Sequence, residues 1–478
     1  MKFSRIALAV AALAAGSAHA ALSASEEAIL NDANANGRII FISGASAVDA
    51  GFNSIVAGLF SGTPVRFANG TGFRAVAGTL ASGTGAWSGQ NVIVIHRTKG
   101  GSVWGVNPVA RAEKIESLKV TAADCGASGA GTVADPYVCS TTGDADPAAT
   151  GLVPDAGVSD VAPFIFKAPY NTEGEPAASS LSAAELASLK ANPIYGLAFG
   201  LPVTNTVPAS VKFNRAIVSA IMTGNVADWS EVDASTDGDI VICRRVPGSG
   251  TQAVMNLWAG NYPCTTPSNV PADRDASSAW DALTSTYNVT AGMGELVVIE
   301  NSSSGDVRKC LDTAVSGGTY STSDRNGNPV TVNFSGSGHK AVGVLSLDSL
   351  SSSKTSGKWQ FRSIDGAGTY TWDDTTAPPV ASGSGKFPTK EAYENGDWDL
   401  HGVVSFNVPN RTNAIAAKKS VTDKFLSLAR NPSFLGASSS LKNVAMGIPG
   451  GSYTGAQVMD AAHLGGNQCA PLNRNFND

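Results

Sequence analysis

Four short stretches of this chain gather hydroxyls, glycines and charged side chains in a way that suits the holding of a small oxyanion. They are Ser43-Gly44-Ala45-Ser46, Gly100-Gly101-Ser102-Val103-Trp104-Gly105-Val106, Val158-Ser159-Asp160 and Arg245-Val246-Pro247-Gly248-Ser249-Gly250-Thr251. Each sits where an apolar run gives way to a turn or helix start. The first N–H groups of a helix have no intrahelical partner, they carry the positive end of the helix dipole, and glycine lets an anion come close to them. The fourth stretch is the most informative, because Arg245 adds a guanidinium fork to the hydroxyl and amide donors of Ser249, Gly250 and Thr251. Ser and Thr are also ordinary helix caps and Asp160 could simply cap a loop, so any one stretch has a purely structural reading. Arg244 and Arg245 alternate across a strand, so one faces the site and the other faces away.

The elements that must position these stretches are legible as apolar runs. Residues 38–42, 91–96, 196–203, 239–243, 295–300 and 341–347 are rich in Val and Ile, and helical patterns follow at 47–59, 183–191, 214–222, 252–259, 305–314 and 412–429. Strands alternating with helices predict an α/β fold. Val92-Ile93-Val94-Ile95 is continuously apolar, as in a strand covered on both faces. Gly/Ser/Thr-rich stretches at 122–150, 319–338 and 375–385 read as surface insertions, and no fixed-period repeat appears.

Catalytic chemistries find little support. There is no Gly-x-Ser-x-Gly elbow and no His-Glu-x-x-His, and Gly383-Ser384-Gly385-Lys386 lacks the first Gly and the following Ser/Thr of a phosphate loop. His96, His339, His401 and His463 stand beside no evident nucleophile. The six cysteines form no CxxC pair and have no His at metal-ligand spacing, so disulfides are favoured over a metal site. Proximity in sequence favours Cys125 with Cys139 and Cys243 with Cys264, leaving Cys310 with Cys469, which is one of the many connectivities six cysteines allow.

With these motifs in this order, the sequence resembles the phosphate-binding proteins of phosphate ABC transporters, a family of the type II periplasmic-binding fold. The family's Arg followed after three residues by Ser-Gly-Thr is matched by Arg245, Ser249, Gly250 and Thr251, and its Gly-Ala-Thr turn by Gly44-Ala45-Ser46. Its Gly-Ser-x-x-Gly-Val and Gly-x-Ser-Asp segments are matched by 101–106 and 157–160. Further likeness lies in Leu201-Pro202-Val203, in 217–229, in Lys340-Ala341-Val342-Gly343-Val344 and in Ile364-Asp365-Gly366, the last two resembling returning first-lobe elements. The resemblance spans 39–430, with Ala47 where the family usually has Phe and a longer stretch between Ser102 and Asp160. It implies two lobes with a ligand cleft between them: a discontinuous first lobe, 21–202 and 336–478, and a second, 203–335. It also implies that phosphate is held by Ser46, Ala47, Ser102, Asp160, Arg245, Ser249, Gly250 and Thr251, with no cofactor and no catalysis, and that an ABC permease is a possible partner. Ionised Asp160 accepts only, so it suits a protonated phosphate oxygen and disfavours sulfate.

Bulk properties bound the rest. Lys2 and Arg5, an apolar run over 6–15 and Ala18-His19-Ala20 read as a cleavable leader, residues 1–20, hence a periplasmic or secreted protein. No Cys follows the cleavage site to take a lipid. The run is about half of the roughly 20 residues that span a bilayer, so a membrane-embedded chain is not expected. A formal net charge of −6 without basic blocks argues against a nucleic-acid partner. The competing readings are an exported structural or adhesive protein on the same fold and, less favoured, a phosphate-ester hydrolase.

Overall fold

The computed structural model describes residues 22–46, 49–70, 72–126, 128–142, 150–172, 179–264, 269–371, 379–394, 397–437, 445–447 and 469. The expected leader and Ala47 lie outside the described residues.

A first group of strands comprises β1 (Ile39–Gly44), β2 (Val65–Asn69), β3 (Phe73–Thr79), β4 (Asn91–Arg97), β5 (Tyr137–Val138) and β6 (Ala156–Ser159). They lie in the order β6-β1-β4-β3-β2-β5, with β1 parallel to both β4 and β6. The continuous apolar run of β4 is explained by its two covers. Ile93 and Ile95 pack with Leu30 and Ala33 of the helix Ala24–Ala35, whereas Val92 and Val94 pack with Phe52, Ile55 and Val56 of the helix Asp49–Ala57.

β7 (Leu189–Thr204), a strand of 16 residues, then leads into a second group made of β8 (Ile240–Arg245), β11 (Val297–Asn301) and β14 (Lys340–Gly343). Here β8 runs parallel to β11 on one side and to β14 on the other, and every residue of β8 is buried. The helices Gly250–Gly260 and Ser304–Ser316 follow β8 and β11. Lys340–Gly343 thus lies in the second group, beside β8, where its apolar Ala341 and Val342 are wholly buried.

The groups are joined by strands, not by loose linkers. The returning β19 (His401–Pro409) pairs antiparallel with Leu189–Ala198 of β7 and also with β6, while the far end of β7 meets β14 at Val203, so one sheet runs through both groups. The pairing of β19 with β7 is irregular in one place, between Val404 and Ser405. β15 (Leu345–Ser346), β16 (Trp359–Arg362) and β20 (Ala445–Gly447) also add to β7, and β17 (Gly368–Thr371) and β18 (Val380–Gly383) extend from β16. The α/β expectation is met. Among the described residues no helix is long and apolar enough to cross a membrane.

The stretch 319–338 is more than a loop. It forms most of β12 (Gly318–Ser323) and all of β13 (Pro329–Phe334), which with β10 (Thr286–Val289) and β9 (Trp280–Asp281) make a separate four-stranded sheet. Its core comes from alternation, since Tyr320 and Thr322 on one strand and Val330, Val332 and Phe334 on the next are buried while the residues between face out. This sheet is tied to the back of β8. Glu300 sits in register with Arg244, and its carboxylate takes Arg325, which also reaches Asp273.

The disulfides correct the pairing expected from proximity. Cys125 is joined to Cys139 as expected, but Cys243 bonds Cys310 and Cys264 bonds Cys469. Cys243 lies within buried β8 and faces the helix Ser304–Ser316, where Cys310 is equally buried, with Cα atoms 5.9 Å apart. Cys264 is carried away from β8 by the 11-residue helix Gly250–Gly260, to where it meets Cys469. Layer packing, not separation along the chain, decides which thiols meet.

Peptide mapping under non-reducing conditions is expected to recover Cys243 with Cys310 and Cys264 with Cys469. Replacing both Cys243 and Cys310 by Ala releases a loop of 67 residues, and a destabilisation of roughly 4 kcal/mol is expected from loop entropy, read from the urea midpoint.

Candidate functional site

The ends of β1 and β6 meet the short 3-10 helix Ser102–Gly105 backbone against backbone. A side chain at Gly105 would put its Cβ 2.2 Å from the Val158 carbonyl oxygen, and one at Gly157 would put it 2.0 Å from that of Gly105. Gly44 has φ +128, and its Cβ would lie 1.9 Å from the same Val158 oxygen, so that turn needs glycine on both counts. The Ser43 hydroxyl donates to the Trp104 carbonyl at 2.6 Å and the Ala45 N–H to the Val158 carbonyl at 2.9 Å. Three of the sequence stretches are thereby clamped together. Ser46 follows directly, and its buried hydroxyl has no hydrogen-bond partner among the described residues.

The fourth stretch comes from β8 in the second group and closes onto this corner. The Thr251 hydroxyl donates to Asp160 Oδ2 at 3.2 Å, and the Asp160 N–H donates to the Ser102 hydroxyl at 3.2 Å. The Val103 N–H reaches the Gly248 carbonyl at 2.9 Å. A Cβ on Gly250 would stand 2.3 Å from Ser102 Oγ and 2.7 Å from Asp160 Cβ, so only glycine permits this approach. Ser249 caps the helix Gly250–Gly260, its hydroxyl accepting from the Gln252 N–H at 3.3 Å.

Arg245 is buried at the same place. Its Nη2 lies beside the Gly101 turn, 3.5 Å from where a Cβ would be. The guanidinium is oriented by the Asn301 carbonyl at 3.2 Å, the Ser302 carbonyl at 2.8 Å and the Ser304 hydroxyl at 3.2 Å. Arg244 points the other way, donating to the Ala272 carbonyl on the face that holds Glu300. Cys243 and Arg245, two residues apart, share the face that looks onto the helix Ser304–Ser316.

Asp160 is 2% exposed and its pKa is pushed up to about 6. Burial is the main cause; the Arg245 charge and the hydrogen bonds from Thr251 and Ser102 pull it back, while Asp348 adds to the rise. Oδ2 is engaged by Thr251, whereas buried Oδ1 has no hydrogen-bond partner among the described residues. The corner therefore combines a fixed cation, hydroxyls, a helix start and one carboxylate oxygen that still accepts. Among the described residues no group of three or more His, Cys, Asp or Glu could hold a metal.

Of the residues singled out in the sequence, the structure brings Ser102, Asp160, Arg245, Ser249, Gly250 and Thr251 together and places Ser46 at the adjoining turn; Ala47 is outside the described residues. Two contributors were missed. Asn301-Ser302-Ser303-Ser304-Gly305 is a strand-to-helix join of the same composition as the others and holds the Arg245 guanidinium. Asp348 acts on Asp160 from a distant part of the chain, and nothing in its local sequence announces it. Trp104 is a packing residue, stacked under the Arg97 guanidinium at 4.3 Å.

No family model matches the sequence. No curated protein matches it either. Among solved structures the chain is similar to a putative phosphate ABC transporter substrate-binding protein with bound phosphate from Clostridium perfringens, at 13% identity over 85% of this chain and 98% of that one, with a TM-score of 0.40. It is similar to an ABC-type phosphate transport receptor from Vibrio cholerae at 12% identity, over 81% of this chain and 93% of that one, with a TM-score of 0.37. A phosphate-binding protein from Stenotrophomonas maltophilia matches at 13% identity, over 82% of this chain and 84% of that one, with a TM-score of 0.34. At such values the likeness decides nothing about the site, whose geometry stands by itself.

Because the folded pKa of Asp160 lies above the ordinary carboxylate value, its contribution to stability is fully present below about pH 4 and is lost as pH rises through about 6. Asp160→Asn is therefore expected to stabilise the ligand-free protein at pH 7 by roughly 2 kcal/mol and to flatten this part of its stability profile, as read by thermal unfolding between pH 4 and pH 7.

Proposed function

We propose that this is an exported solute-binding protein that holds phosphate in the cleft between the two strand groups, for uptake through an ABC permease or for scavenging. The observation that carries the reading is the meeting of Asp160 with Thr251 at 3.2 Å beside Arg245, from opposite groups. In this reading Ser46, Ser102, Arg245, Ser249, Gly250 and Thr251 surround the anion, and Ala47, next in sequence after Ser46, belongs to the proposed set. The Arg245 guanidinium takes much of the negative charge, and hydroxyl and helix-start N–H groups satisfy the oxygens. Oδ1 of Asp160 accepts a hydrogen bond from the hydroxyl of a hydrogen phosphate. Sulfate has no such proton, and an unmatched carboxylate facing it in a dry site is costly. Ligands from both groups favour the closed arrangement, because an anion shifts that equilibrium only by binding one state better.

Calorimetry on the mature protein, with phosphate, arsenate and sulfate, tests the reading. Phosphate is expected to bind and sulfate not, with Arg245→Ala weakening phosphate at least about thirtyfold. Gly250→Ala, which forces the helix start off Ser102 and Asp160, should also lose binding, and Asp160→Asn should admit sulfate. Failure of every oxyanion to bind would sink the proposal and leave the structural or adhesive reading.

A further inference from the structure

Beside the anion corner, a second line of contact joins the two groups through side chains that have no place in the proposed ligand set. It starts at the backbone of Arg245, whose N–H donates to Gln252 Oε1 at 3.1 Å. Gln252 Nε2 donates to Asn256 Oδ1 at 3.0 Å, and Asn256 Nδ2 donates to Asn171 Oδ1 at 2.8 Å. Asn171 Nδ2 in turn donates to the Ile165 carbonyl at 3.1 Å. Gln252 and Asn256 stand on the helix after β8, while Asn171 and Ile165 belong to the segment after β6. The step from Asn256 to Asn171 therefore crosses between the groups.

This chain of amides has one sense only. An N–H at one end and a carbonyl at the other fix which atom of every amide must donate, so no flip preserves it. Gln252, Asn256 and Asn171 are 3%, 3% and 1% exposed, so opening the crossing leaves buried donors and acceptors in need of water. A strut lies on the same edge: the Tyr262 hydroxyl meets the carbonyls of Lys167 and Ala168 at 3.0 and 2.9 Å, and its ring packs edge-on against Tyr170.

We propose that Asn171, Asn256, Gln252 and Tyr262 form a latch that holds the two strand groups together independently of the anion and fixes the backbone of Arg245, making them positioning residues for ligand affinity. All of the latch contacts are between protein groups, so they favour closure whether or not an anion is present, and they lower the reorganisation that a ligand must bring about. The role rests on the proposed phosphate site, but the closure itself is measurable without any ligand.

The test uses the full mature protein and two variants, Asn171→Ala and Tyr262→Phe. Small-angle scattering of the ligand-free proteins is expected to show a larger radius of gyration for both variants than for the unaltered chain. Inorganic phosphate should bind about tenfold more weakly to Asn171→Ala and about threefold more weakly to Tyr262→Phe, chiefly through faster dissociation in stopped flow. A merely structural role would lower the melting temperature while leaving the radius and the dissociation rate of the folded protein unchanged, and that result overturns the latch. If Asn171→Ala does not fold, Tyr262→Phe, which keeps the ring and loses only the hydroxyl, decides alone. Absence of phosphate binding to the unaltered chain would defeat the functional reading, and the scattering comparison would still settle the latch.

Discussion

A carboxylate buried at the meeting of two strand groups constrains much of what surrounds it. Asp160 is held away from water, and its ionised form survives there only through a nearby cation and donors supplied by other segments. Neither strand group can supply all of them. Ser102 comes from the turn after β4, Thr251 from the helix after β8 and the opposing charge from Arg245 at the end of β8, so the carboxylate is satisfied only when those elements converge. The glycines at 44, 105, 157 and 250 follow from the same demand, since each stands where a methyl group would strike a neighbour and hold the elements apart. The wholly buried β8 and the strands that flank it are the means by which Arg245 is kept in place.

Much of this was legible because it is local. The apolar run of β4, the amphipathic pattern of Arg215–Met222 and the strand-to-helix joins around Ser102 and Ser249 are all written within a few residues of themselves. The spacing from Arg245 to Thr251 survives folding as a spacing, because a strand end and a helix start are rigid on that scale. The alternation of buried and exposed positions in 318–334 was equally local, yet its Gly/Ser/Thr content masked the period-two signal of two real strands. Residues 183–191 read as one helix, but the pattern belongs to a short helix, Ala183–Ala187, and to the opening of β7.

What could not be read depends on which surfaces face one another. The partner of Cys243 is set by the helix that covers its strand, sixty-seven positions further on, and no count of intervening residues reveals it. Asp348 and the loop at Ser302 and Ser304 reach the site only through the return of the chain across the sheet. Arg244 shows the converse. Its type and place match those of Arg245, and only the pleat of β8, seen against Glu300 in register on β11, sends it to the far side, where it donates to the Ala272 carbonyl.

The pairing of β19 with β7 bears on how the two groups are joined. The second group reaches this ladder through the far end of β7, where Val203 pairs with Val342 of β14, so the two groups are parts of one sheet and not bodies on slack connectors. At the step between Val404 and Ser405 the register passes over Ile194, so the extra residue lies on β7, and a strand that carries an extra residue bends and twists there. The bend therefore sits in the strand that pairs with β19 along one part and with β14 at its far end.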